Sequence, residues 1–182
     1  MKVHYLEIIE KCKQHNRRAQ LKLYNQYCDA MYTIAYRFMK NSQDAEDAMQ
    51  EAFIKAFKKI DSYKGEVTFG AWLKKIVIHT SIDMLKSVKL KFTDVDDNYL
   101  NVVSDDNWEV EGQISIDEVK SAISQLPQKY ELVLSLFLIE GYDHKEISSI
   151  LEISEVNSRT QLLRGKKKLK ESLKQTSNGT GY

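Results

Sequence analysis

The side chains best placed to do chemistry lie near the C-terminus, in "DHKEISSILEISEVNSRTQLLRGKKKLK", residues 143–170. Asn157, Arg159, Thr160, Gln161, Arg164, Lys167 and Lys168 crowd into a few turns' worth of chain there. They include no nucleophile with a base beside it. Thr, Asn, Gln and Arg can hydrogen-bond base edges in a DNA groove, and Lys and Arg can meet phosphates. That chemistry is recognition of nucleic acid, not the making or breaking of bonds. His4, His15, His79 and His144 are scattered, and Cys12 and Cys28 have no ligand spacing. No catalytic residue, metal site or cofactor is therefore expected, and the protein is read as a non-enzyme.

A helix must present these side chains together. With Leu162 at the centre of the buried face, about 100° per residue puts Ser158, Gly165, Leu169 and Leu173 beside it. Thr160, Arg164 and Lys167 then form a stripe on the opposite side. Asn157, Gln161 and Lys168 flank it on one edge, Arg159 and Lys166 on the other. The wheel points Ser158 inward, so it is left out of the contact set. A stripe that is polar first and cationic later has the order of a recognition helix. The segment before it supplies the other half of a helix-turn-helix. Asp143 and Glu146 form a capping box, and Ile147, Ile150 and Leu151 face inward. The turn is Glu152-Ile153-Ser154, with Ile153 in the corner and Ser154 capping the last helix. Glu152 stands where glycine is common. Further upstream, a short helix is expected over 116–125, and Pro127 opens one that ends at Gly141.

The net charge of +1 conceals a segregation. Nine acids and no Lys or Arg lie between Phe92 and Val119, so the rest of the chain sums to about +10. The strip "FTDVDDNYLNVVSDDNWEVEGQ" has no helical period and is rich in Asp and Asn. It reads as an acidic flexible linker over 91–114. A polyanion there could also mimic nucleic acid or shield basic surfaces.

Before the linker, helices are expected over about 3–14, 17–39, from Asn41 or Ser42 to Ile60, and from Phe69 to Lys89. Residues Ala45, Ala48, Met49, Ala52, Phe53, Ala56, Phe57 and Ile60 keep one apolar face. Asp44, Glu46, Asp47 and Glu51 precede Lys55, Lys58 and Lys59, as a helix dipole prefers. The 17–39 helix is read as packing through Leu21, Leu23, Tyr24, Tyr27, Met31, Ile34, Ala35 and Phe38. With 42% hydrophobic residues, one proline and seven glycines, the fold class is all-α. Two small helical domains are expected, 1–90 and 115–175, joined by the linker and followed by a tail, 176–182. "LVLSLFLI" is too short to span a bilayer, and no signal-peptide core opens the chain, so a cytoplasmic protein without direct membrane insertion is expected.

The first domain resembles a known family. "LYNQYCDAMYTIAYRFMKN", "DAEDAMQEAFIKAF" and "FGAWLKKIVIHTSIDMLK" are similar to region 2 of bacterial sigma factors of the extracytoplasmic-function (ECF) group. Residues 126–170 resemble region 4 of that group. The resemblance implies an RNA polymerase sigma factor that directs the core enzyme to promoters and assists melting. It implies contact with the β′ clamp helices through Asp44, Asp47, Gln50 and Glu51. It implies −10 element binding through Tyr63, Lys64, Phe69, Lys74, Lys75, His79 and Lys86, with Lys89 adding charge. Trp72 is a stacking candidate that also fits a core position. His79 stands where the family usually carries asparagine, which puts the base preference there in doubt. Asn157, Arg159, Thr160, Gln161, Arg164, Lys167 and Lys168 fall on the −35 reading stretch, with helix 128–140 toward the β flap. An anti-sigma factor is an implied partner. The competing reading is a helix-turn-helix regulator that binds duplex operator DNA as a dimer; a weaker one is a polymerase adaptor without promoter choice.

Overall fold

The computed structural model describes residues 2–88 and 114–178. All of the regular structure among them is helical. The chain divides into two compact units, Met1–Lys91 and Phe92–Tyr182. The acidic strip and Lys89 lie almost wholly outside the described residues.

The first unit contains α1 (Lys2–Lys13), α2 (Arg17–Met39), α3 (Ser42–Lys58), a 3-10 turn (Ile60–Ser62) and α4 (Phe69–Val88). Side-chain caps set the helix starts. Asn16 Oδ1 accepts from Ala19 N–H at 3.0 Å, and Asn41 Oδ1 from Asp44 N–H at 2.8 Å. Lys40 ends α2 in the left-handed region at φ 61°, its N–H bonding Tyr36 C=O. Helices α2, α3 and α4 pack on one another, with α1 against α2 and the 3-10 turn. Ala45, Ala48, Ala52 and Ala56 are all fully buried. Small side chains at this spacing let the neighbouring helices approach α3 closely. Leu23 is buried, but Leu21 is exposed, contrary to expectation. Two residues apart on a helix point to nearly opposite sides, so only one of the pair can face the core.

The second unit contains α5 (Ile116–Ser124), α6 (Gln128–Leu134), a π turn (Ser135–Ile139), α7 (His144–Leu151) and α8 (Glu155–Asn178). Ser115 with Glu118 and Asp143 with Glu146 both form reciprocal capping boxes. Pro127 sits at the N-cap of α6, one position before the first turn. The expected single helix up to Gly141 widens instead after Leu134, where Glu140 N–H bonds Ser135 C=O at 3.0 Å. Gly141 then turns the chain at φ 78°. Glu152 closes α7 in the left-handed region at φ 56°, and Ile153 N–H bonds Ser148 C=O at 3.1 Å. Helix α8 continues to Asn178, past residue 175 where the domain was expected to end.

Candidate nucleic-acid interface

The burial of α8 follows its wheel. Ser158, Leu162, Gly165, Leu169 and Leu173 are buried, while Arg159, Lys167 and Lys168 are exposed. Asn157, Thr160, Gln161 and Arg164 are half-buried along the same outward side. Gly165 has a packing reason: a Cβ there would lie 3.0 Å from Leu134 Cδ1 and 3.3 Å from Tyr130 Cβ. Its absence lets α8 lie close on α6.

Hydrogen bonds organise the outward polar stripe. Gln161 Nε2 donates to Asn157 Oδ1 at 2.9 Å, so two amide side chains form one polar platform. Thr160 Oγ1 donates to Val156 C=O at 2.9 Å, leaving the hydroxyl oxygen as an acceptor. Arg159 pairs with Glu155 at 3.1 Å. That pair is exposed and weak, so a phosphate can compete for the guanidinium.

At α3, Asp44, Asp47, Gln50 and Glu51 are all exposed. Gln50 donates to Glu46 Oε1 at 3.0 Å, and Glu51 lies 3.9 Å from Lys55. Ile54, which sequence reasoning passed over, is 48% exposed one turn beyond Gln50 and Glu51. The acidic patch therefore carries an apolar side chain at its edge, as protein-docking surfaces commonly do. The available signal was Ile54's place off the alanine stripe.

The loop before α4 departs from expectation in its aromatic residues. Tyr63 and Phe69 were expected to stack on bases, but Phe69 is fully buried and Tyr63 is 7% exposed. Their rings lie 5.7 Å apart and pack with Trp72 at 5.4 and 5.5 Å, and Phe69 also meets Tyr27 at 5.5 Å. Tyr63 Oη donates to Val67 C=O at 2.7 Å, which ties the loop down. Burial raises the Tyr63 phenol pKa. These two rings brace the loop from beneath, while Trp72, like Tyr27, is half-exposed. Along α4, Trp72, Lys75, His79 and Lys86 share one face by helical spacing, with exposed Asp83 among them. Lys74 falls on another side of α4 and is not brought into that face. Lys64 is exposed on the loop.

Among the described residues, no helix is long and apolar enough to cross a membrane.

Two family models match the chain, sigma-70 region 2 over residues 23–90 and sigma-70 region 4 over residues 116–169. The chain is 29% identical over 177 residues to the ECF RNA polymerase sigma factor SigW of Bacillus subtilis, covering 91% of this chain and 95% of that one. It is 30% identical over 166 residues to the ECF RNA polymerase sigma factor SigE of Mycolicibacterium smegmatis, covering 87% and 63%. Among solved structures, the sigma factor RpoE from Bartonella quintana, in complex with the anti-sigma factor NepR, is similar in fold. Its TM-score is 0.52 at 20% identity, covering 84% of this chain and 95% of that one.

Proposed function

The chain belongs to the sigma-70 family, in its ECF group, and from that premise we propose that it is a promoter reader split across two units and completed by core RNA polymerase. One observation carries the reading. Region 2 and region 4 occur in order on one chain, and the region 4 unit ends in a helix-turn-helix whose polar stripe faces outward. The region 2 match also occupies the place where a dimeric operator-binding regulator would need a sensory or dimerising domain.

Helix α3 docks on the β′ clamp helices through Asp44, Asp47, Gln50 and Glu51, with Ile54 adding apolar contact. An acidic face orients its encounter with a basic partner as well as strengthening it. In the first unit, Lys64, Lys75, His79 and Lys86 line the path of the −10 strand, and Trp72 offers a half-exposed ring for stacking. In the second unit, Thr160, Gln161, Asn157 and Arg164 read −35 base edges, while Arg159, Lys167 and Lys168 meet phosphates. Each unit alone is a weak reader. Held on one polymerase, the second contact forms at high effective concentration, and two weak readers become one selective one. Melting is driven by capture of unpaired bases, without catalysis by this chain. The acidic linker joins the two units in sequence. The protein works in the cytoplasm, and an anti-sigma factor is its expected inhibitor, as NepR is bound to the Bartonella quintana protein.

The docking step has a direct test. Reversing Asp47 and Glu51 together to Lys should weaken binding to purified core polymerase by about tenfold to a hundredfold. Both side chains are exposed, so helicity should be unchanged. Wild-type affinity in that variant would refute the α3 docking surface.

A further inference from the structure

Three elements of the second unit meet at one imidazole. His144, the first residue of α7, places Nδ1 2.9 Å from Oγ of Ser158 on α8. Its ring stacks on Phe137 of the π turn, with centroids 5.0 Å apart and planes 28° apart. Ser158 is fully buried at a position in register with Leu162, Leu169 and Leu173. A hydroxyl there is out of reach of bulk water and depends on a protein partner. Ser158 is also flanked on both sides by the reading residues Asn157, Arg159, Thr160 and Gln161. Whatever pins Ser158 sets the direction in which those side chains project.

We propose that His144 is a positioning residue for −35 recognition: by holding Ser158 while stacked on Phe137, it fixes the rotation and depth of α8 against α7. This rests on the reading of α8 as the −35 helix. The side chains themselves argue for a designed contact. An apolar residue at 158 would pack without any partner, whereas Ser158 makes the seating of α8 conditional on one ring.

The condition includes charge. Arg159, Lys166 and Glu155 of α8 and Asp143 of the helix cap surround the ring electrostatically, and the π turn carries no ionisable group. Burial, then Arg159, with Lys166 acting in the same sense, holds the His144 pKa below its ordinary 6.5, against the opposing carboxylates. The start of α7 further disfavours a cation. Because the folded value lies below the unfolded one, the neutral ring's contribution is complete above the ordinary 6.5. It is lost as pH falls from there through the folded value.

The test is run-off transcription by the full chain with core polymerase. It compares a template carrying the preferred −35 block with one in which that block is scrambled, from mildly acid to mildly alkaline pH. The ratio of the two templates cancels the polymerase's own pH dependence. For wild type, the ratio should hold at neutral pH and fall only at acid pH, as the folded His144, whose pKa lies below the ordinary 6.5, takes up a proton. His144→Phe keeps a ring for the stack but removes the bond to Ser158. Its ratio should be lowered by about fivefold to thirtyfold at neutral pH and be flat with pH. His144→Asn, whose amide can occupy the Nδ1 position, should restore most of the ratio while remaining flat. Ser158→Ala removes the partner with little change of volume and should also flatten the profile. Wild-type ratios and pH profiles in both His144→Phe and Ser158→Ala would overturn the proposal. A wild-type protein indifferent to the −35 block would overturn the reading of α8 itself, and this inference with it.

Discussion

Replacing Gly165 by Ala sets two effects of known sign against each other. Alanine in a helix interior is favoured over glycine by about 1 kcal/mol. In an open helix that would be the whole effect. At this site the new methyl would lie 3.0 Å from Leu134 Cδ1, 3.2 Å from Leu134 Cγ and 3.3 Å from Tyr130 Cβ. Leu134 is fully buried and has little room to turn aside. Tyr130 Cβ is bonded to the backbone, so it yields only if α6 moves. Overpacking of this kind costs about 1–3 kcal/mol, so the clash wins and the net loss is about 1 kcal/mol. Hydrogen exchange of amides across residues 116–174 reports the second unit by itself and measures that loss. Transcription dependent on the −35 block should fall with it, because α8 is pushed off α6. In a Leu134→Ala background much of the clash is absent, and the same substitution should become neutral or stabilising. If Gly165→Ala stabilises the wild-type protein by about 1 kcal/mol, the close approach of α6 and α8 is wrong.

Other perturbations bear on separate parts of the account. Glu152 holds φ 56° and ψ 43° without the freedom of glycine. Glu152→Gly should stabilise the second unit by about 0.5–1 kcal/mol, after allowing for the greater unfolded-state entropy of glycine, as measured by the same exchange experiment. Cys12 is fully buried and its thiol is pushed up to about 11 by burial, whereas Cys28 is partly exposed. Near pH 8 a thiol reagent should therefore label Cys28 readily and Cys12 only when the first unit opens, which peptide mapping over time would follow. Substituting Lys167 and Lys168 together by Ala should weaken promoter binding evenly across −35 sequences and reduce the salt slope by about 2. Gln161→Ala should instead relax the choice of base, at about 1–3 kcal/mol for the preferred one.

Much of this fold was legible because its signals are local. Asn41, Asp143 with Glu146, and Ser154 all cap helices where their types and spacing suggest, and each satisfies an end-of-helix N–H. The α8 wheel was readable for a similar reason: Leu162, Leu169 and Leu173 leave one choice of inner face. What escaped depends on neighbours distant in sequence. The apolar run around Ser135 has no polar face, so periodicity carries no mark of the π turn. Tyr63 and Phe69 beside a basic loop look like stacking platforms until Tyr27 and Trp72 are seen to fill the space around them. Lys74 and Lys75 look equivalent in sequence, although successive helical residues point in different directions. Ser158 was placed inward correctly, but its partner lies 14 residues away, and only the folded corner brings His144 to it.

The central claim is that two outward-facing surfaces, one in each unit, read one promoter when polymerase holds both. Purified core polymerase with and without this chain, transcribing a library of random upstream sequences, tests it most directly. The account predicts specific start sites only when the chain is present, preceded by two sequence blocks at a fixed separation. Substituting Arg164 and Gln161 should erase the upstream block alone. Unchanged start sites, together with a chain that shifts a palindromic duplex by itself, would contradict it.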